Sequence, residues 1–232
     1  MMIARKALAG TVLGLALLLA GCIELTKEAA FRESGEARVE IEMALLAELV
    51  ALASNPALGK LAGSEGLPNL FGDCGKPWPA NEPLPDGVRS VESRRGKRGD
   101  METCTVILDV VDPVVALESA RKVEVPSVEN MPRQEVSLTR LEGSPGYRLR
   151  MAVSPAQSPD LPPEAVQMAA VLMKAMFADR YVTLHISGLR IENTNGELSP
   201  DRRKVTWRLP LADLVTPSAD KPVTIEADVI YR

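Results

Sequence analysis

KEAAFRESGEARVEIEMALLAELVALA, residues 27–53, is the stretch that sets the fold class. Glu33-Ser34-Gly35-Glu36 reads as a turn with a glycine free to take positive φ. Lys27–Arg32 and Ala37–Glu42 are then the arms of a hairpin. In the second arm Val39, Ile41 and Met43 alternate with Arg38, Glu40 and Glu42, the pattern of a strand with one dry and one wet face. From Ala44 to Ala53 the period changes, and Leu45, Leu46, Leu49, Val50 and Leu52 recur at helical spacing. Asn55-Pro56 ends that helix, and a short helical turn over Ala57–Ala62 follows.

The rest of the chain repeats this alternation of strand and helix. Residues 63–104 are rich in glycine and proline, with a strand over Val88–Ser93 and the basic segment Arg94-Arg95-Gly96-Lys97-Arg98-Gly99 as its turn. Thr103–Val110 reads as a strand that Asp112-Pro113 ends, and Val114–Ala120 as one helical turn or more. Val136–Leu141 and Tyr147–Val153 form a second hairpin around Gly143-Ser144-Pro145-Gly146. A helix over Pro163–Ala178, with Asp160 as its cap, has Val166, Ala169, Ala170, Met173, Met176 and Phe177 on its buried face. Strands at Tyr181–Ile186, Leu189–Ile191, Val205–Leu209 and Val223–Tyr231 complete the chain. The expected architecture is α+β: a mostly antiparallel, curved sheet packed by two main helices.

The beginning of the chain reads as an address. Arg5 and Lys6 precede an apolar run of about 14 residues, Ala7–Ala20, shorter than the ~20 that a spanning helix needs. It closes on Leu19-Ala20-Gly21-Cys22, the pattern of a bacterial lipoprotein signal. Residues 1–21 would be removed and Cys22 acylated, and two or more acyl chains anchor a protein stably. A single domain over residues 22–232 is expected, held at a membrane by its lipid. Asp directly after the cysteine favours inner-membrane retention in the usual sorting rule. Here Ile23 follows it, which points to the periplasmic face of the outer membrane in a Gram-negative cell. No stretch after Cys22 is long and apolar enough to span a bilayer.

Composition narrows the function. The formal charge of −4 becomes −6 once Arg5 and Lys6 leave, and an acidic chain does not suit nucleic acid. Aromatic residues make up 3% of the chain, few for sugar- or base-stacking sites. An exported chain places Cys74 and Cys104 in an oxidising space, where they are expected to form a structural disulfide. No Cys-x-x-Cys is present, and His185 is the one histidine, on the wet side of an alternating strand. No nucleophile elbow and no calcium-loop spacing is found, so no catalytic residue, metal or cofactor is expected. The carboxylates Asp100, Glu102, Asp109 and Asp112 read as turn and surface residues.

Two features carry functional candidates. Arg94, Arg95, Lys97 and Arg98 form a dense basic cluster, a solvated tip or a contact for anionic headgroups. Met168, Met173, Met176 and Phe177 give one helix a flexible apolar face, which is core or the lining of an apolar ligand cavity against the sheet.

The segment Phe31-Arg32-Glu33-Ser34-Gly35-Glu36 resembles the opening of the LppM-like domain of bacterial lipoproteins. So do Ile186-Ser187-Gly188-Leu189, Asn195-Gly196 and Val205-Thr206-Trp207-Arg208-Leu209, in that order. The resemblance implies an α+β domain held at an envelope membrane, with lipid or glycolipid binding, and it implies no enzymatic residues. The Cys74 and Cys104 loop departs from the family pattern as an elaboration. The expected function is a non-enzymatic, membrane-tethered module for a lipid-like or apolar ligand. The alternative is an envelope scaffold that binds another protein.

Overall fold

The computed structural model describes residues 23–53, 74–122, 133–154, 163–177, 179–215 and 222–232. The signal segment with Cys22, the turn over Ala57–Ala62 and the cap Asp160 lie outside the described residues, as do the side chains of Met173 and Met176.

The opening hairpin forms as its alternation requires. Strand β1 (Ile23–Phe31) pairs antiparallel with β2 (Ala37–Leu46), Phe31 opposite Ala37 and Leu25 opposite Met43. Gly35 sits in the turn at φ +85°, against the rings of Tyr147 and Tyr231. The helical spacing from Ala44 is realised only from Ala47, in helix α1 (Ala47–Ala53). Pairing with the next strands overrides it before that: Leu45 and Leu46 oppose Glu102 and Met101 of β4 (Met101–Val110).

The basic segment corrects the expected turn. Strand β3 (Val88–Arg98) runs straight through it, with Arg95 opposite Cys104 and Arg98 opposite Met101. The chain reverses at Gly99, where φ is +63°. Carboxylates on neighbouring strands make this possible, because Arg95 pairs with Glu102 and Arg98 with Glu42 and Glu24.

Helix α2 (Pro113–Lys122) follows β4, with Asp112 Oδ1 accepting from the amides of Val114 and Val115. The second hairpin is β5 (Arg133–Arg140) with β6 (Gly146–Ser154). Then come α3 (Pro163–Met176), β7 (Tyr181–Ser187), β8 (Arg190–Glu192), β9 (Glu197–Leu198), β10 (Lys204–Pro210), α4 (Leu211–Val215) and β11 (Val223–Ile230). The α+β class is as expected.

The strands divide between two sheets. The larger runs β3-β4-β2-β1-β7-β10-β9 and the smaller β5-β6-β11-β8. One pairing in the larger sheet is parallel, β1 with β7. The sheets pack face to face: Leu184, Ile186, Val205 and Trp207 of the large one meet Leu149, Ile191, Ile225 and Val229 of the small one. A smaller cluster, Leu45, Val50 and Cys104, lies under α1. The disulfide between Cys74 and Cys104 is formed, with the two Cα atoms 5.9 Å apart. It ties the loop before β3 to β4, the second strand from one edge of the large sheet.

Candidate functional site

Residues directly opposite each other in a ladder share a face of the sheet. Tracing the registers gives the inner face of the large sheet as Leu25, Lys27, Ala29 and Phe31, then Met43, Ile41, Val39 and Ala37, then Cys104, Val106, Leu108 and Val110. On the other side of β1 it continues with Val182, Leu184 and Ile186. The small sheet covers this face over β7 and β10, where Val205 and Ile186 are buried. Over β1, β2 and β4 the cover thins. Leu25, Val39, Ile41 and Leu108 belong to neither buried cluster and are only half-buried. On the facing sheet Val136, Leu138 and Met151 are also half-buried, packed against the edge of the main core. An apolar strip therefore lies between the two cores.

Lys27 stands in the middle of this strip. It lies opposite Ile41 on one side and Leu184 on the other. Its Nζ donates to Oε1 of Gln134, an exposed side chain on β5 of the small sheet, at 3.4 Å. No carboxylate partner is found for it among the described residues. Burial pushes its ammonium below the ordinary lysine range, because the charged form is partly stripped of water.

The end of the large sheet where β1 begins is the end nearest Cys22. Several predicted residues gather there. Arg98 reaches Glu24 and also Glu42, the latter at 2.9 Å. Arg95 is paired with Glu102, and Arg94 lies 3.1 Å from Glu92. Lys97 has no ion pair among the described residues. Helix α3 returns to this end, since Val182, shortly beyond it, lies opposite Leu25. Arg180 then bonds Glu24 at 3.0 Å.

The Met-bearing helix packs against α4. Met168 was a candidate for the lining of a cavity, but it is 76% exposed and faces solvent, as does Val171 at 71%. Phe177 is half-buried.

A second, polar site lies on the outer face of the small sheet and was missed in the sequence. Arg148 donates from Nε and Nη2 to the two carboxylate oxygens of Asp228, at 2.7 and 2.8 Å. Asn193 Nδ2 donates to Asp228 Oδ2 at 2.7 Å. These groups, with Arg150 and Glu226, line an open pocket of about 260 Å³. Arg148 holds the Asp228 carboxyl below the usual range, against the opposing effect of burial. The charges here cancel in pairs, Arg148 with Asp228 and Arg150 with Glu226, so the cluster works as a latch between β6, β8 and β11. A similar lattice holds the far end of the large sheet. A bulge between Val88 and Ser90 aims Arg89 at Glu36 and Asp109, and Arg32 lies 2.8 Å from Asp109.

His185 shares a hydrogen bond with Thr206 Oγ1 at 2.9 Å. Burial, assisted by Lys204, lowers its pKa, so the ring is neutral at neutral pH. Among the described residues no group of three or more His, Cys, Asp or Glu is placed to hold a metal ion. None of the described helices is long and apolar enough to cross a membrane.

No family model matches the chain, and no curated protein does. Among solved structures it is similar to the folded domain of LppM from Mycobacterium tuberculosis, determined by NMR. That likeness has 12% sequence identity, covers 90% of each chain and has a TM-score of 0.47.

Proposed function

We propose that this chain is a non-enzymatic envelope lipoprotein, acylated at Cys22 after loss of residues 1–21, that binds a lipid-like or apolar ligand at the membrane surface. The apolar strip between the two cores is the observation that carries this reading. A protein that only needed a core would close the sheets over Leu25, Val39, Ile41 and Leu108. Leaving them half-buried costs about 25 cal/mol for each Å² of apolar surface left in water. A bound apolar molecule recovers that surface. The basic strand end supports the membrane placement. Arg94, Arg95, Lys97 and Arg98 lie at the end of the sheet where the chain leaves Cys22, within reach of anionic headgroups. Met168 adds exposed apolar surface to the helix that returns to the same end. In a Gram-negative cell the location proposed is the periplasmic face of the outer membrane.

The test is a lipid extract offered to the full chain carrying Cys22→Ser, followed by mass spectrometry of what co-purifies. Stoichiometric lipid is expected. A clean protein with no lipid would refute the reading. A scaffold role remains as a second proposal, favoured by Trp78 and Leu84, which stand exposed on the bridge-anchored loop. One dominant protein partner on crosslinking in intact cells would support it over ligand binding.

A further inference from the structure

Among the residues of the inner strip, Lys27 is the anomaly. The strip is otherwise apolar, and a lysine ammonium there gives up part of its hydration. Buried or half-buried ammonium groups are ordinarily matched by a carboxylate. Among the described residues the half-buried cations Arg180 and Lys204 follow that rule, each with an acidic partner. Among the described residues Lys27 has only the amide oxygen of Gln134, an exposed side chain, at 3.4 Å. Gln134 lies opposite Val153, on the same face of the small sheet as Val136 and Leu138. Cation, amide and apolar wall thus meet where β1 faces β5, at the solvent-exposed Gln134.

We propose that Lys27 and Gln134 hold the anionic headgroup of an acyl amphiphile, a carboxylate or phosphate, whose chain lies along Ile41, Val39, Val106 and Leu108. This deepens the ligand reading given above and rests on it. The anion supplies the missing counter-charge, and the Gln134 amide NH₂ donates a hydrogen bond beside it once the side chain turns. The hydrocarbon covers the residues that the two cores leave half-exposed. The acyl chain is common to neutral and charged lipids, so the charge of the headgroup is the discriminating variable.

The experiment compares a pyrene-labelled 16-carbon fatty acid with its methyl ester, titrated by fluorescence against the full chain carrying Cys22→Ser. The acid is expected to bind at least about tenfold tighter than the ester. Lys27→Met should erase that preference, and Lys27→Arg should keep it. Should Lys27→Met not fold, Lys27→Gln takes its place. Equal binding of acid and ester by the unsubstituted Lys27 protein, or a preference that survives Lys27→Met, would overturn the assignment and leave apolar ligand binding standing. Binding of neither probe would overturn both.

Discussion

Removing the bridge between Cys74 and Cys104 should destabilise this protein by about 3–4 kcal/mol without altering its native fold. The sequence separation of 30 closes a loop of about 31 residues. In the chain-entropy model, cross-linking a loop of that length removes ~12 cal/mol/K from the unfolded chain, or ~3.7 kcal/mol at 25 °C. For a chain of this size each kcal/mol moves Tm by roughly 2–4 °C, so the expected drop is roughly 7–15 °C. The two tryptophans make the assay specific. Trp207 sits in the main core, 6% exposed, and Trp78 lies on the loop that the bridge anchors, 38% exposed. Urea melts of the full chain carrying Cys22→Ser, with and without reductant, give both stability and slope. Because the cost lies in the unfolded state, the reduced chain should also expose more surface and show a larger m-value. The Trp207 emission of the native state should not move. A loss below about 1 kcal/mol with an unchanged m-value would refute the reasoning, because the bridge would then constrain nothing that the unfolded chain explores.

Other perturbations have equally direct outcomes. Asp228 is 3% exposed and its carboxyl lies below the usual range because Arg148 and Asn193 bond to the charged form. Its contribution is therefore complete above the ordinary Asp value of about 3.9 and is lost as pH falls from there through the folded value. Asp228→Asn should cost about 1.5–3 kcal/mol at pH 7 and flatten that acid limb, checked by urea melts at pH 7 and pH 3; an unchanged limb would count against it. At Gly87, φ is +77° and an added Cβ would lie 2.7 Å from the Asp112 carbonyl and 2.8 Å from the Ala116 amide. Gly87→Ala should therefore lower stability by about 2 kcal/mol or more in thermal melts, since both the backbone sign and the space are wrong. Met168→Lys should change stability by less than about 0.5 kcal/mol, because that side chain is already in water. If α3 meets the membrane, the same change should alter partitioning to anionic vesicles in a sedimentation assay.

Elements whose signal is local were legible in the sequence. The first hairpin was, because the period-2 alternation of Val39, Ile41 and Met43 and the turn at Gly35 state one structure at two levels. The disulfide was, because only two cysteines follow Cys22. What failed was set by partners distant in the chain. Leu45 and Leu46 have helical spacing yet stay in β2, because Glu102 and Met101 pair with them. Arg94 to Arg98 look like a turn, and become strand because Glu102, Glu42 and Glu24 line up to receive the guanidinium groups. The division into two sheets depends on Leu25 finding Val182 in parallel, which no local pattern announces. Lys27 was invisible for the same reason. Beside Glu28 it reads as ordinary surface polarity, and only the registers with Ile41 and Leu184 put it on the inner face. The one available signal was the row Leu25, Lys27, Ala29, Phe31, in which every second residue but one is apolar.

On the proposed reading, Glu24 links the acylated Cys22 to the fold in a way that bears on orientation. It follows Cys22 by two residues, and β1 is already paired when it begins, with Glu24 opposite Ala44. Arg98 from the basic end of β3 and Arg180 from the segment after α3 both bond its carboxylate. The two structures that would meet a membrane, a basic strand end and a helix with exposed Met168 and Val171, are thus pinned to the same side chain. A lipid at Cys22 would then have no flexible linker through which the domain could swing away, because the residues it needs for slack are held in a strand. Replacing Glu24 by Gln keeps the strand and loosens both clamps. On the proposed reading this frees Arg98 and Arg180 for headgroups and strengthens anionic-vesicle binding, with a steeper dependence on salt. If those arginines face away from the bilayer, Glu24→Gln will change stability and leave vesicle binding where it was.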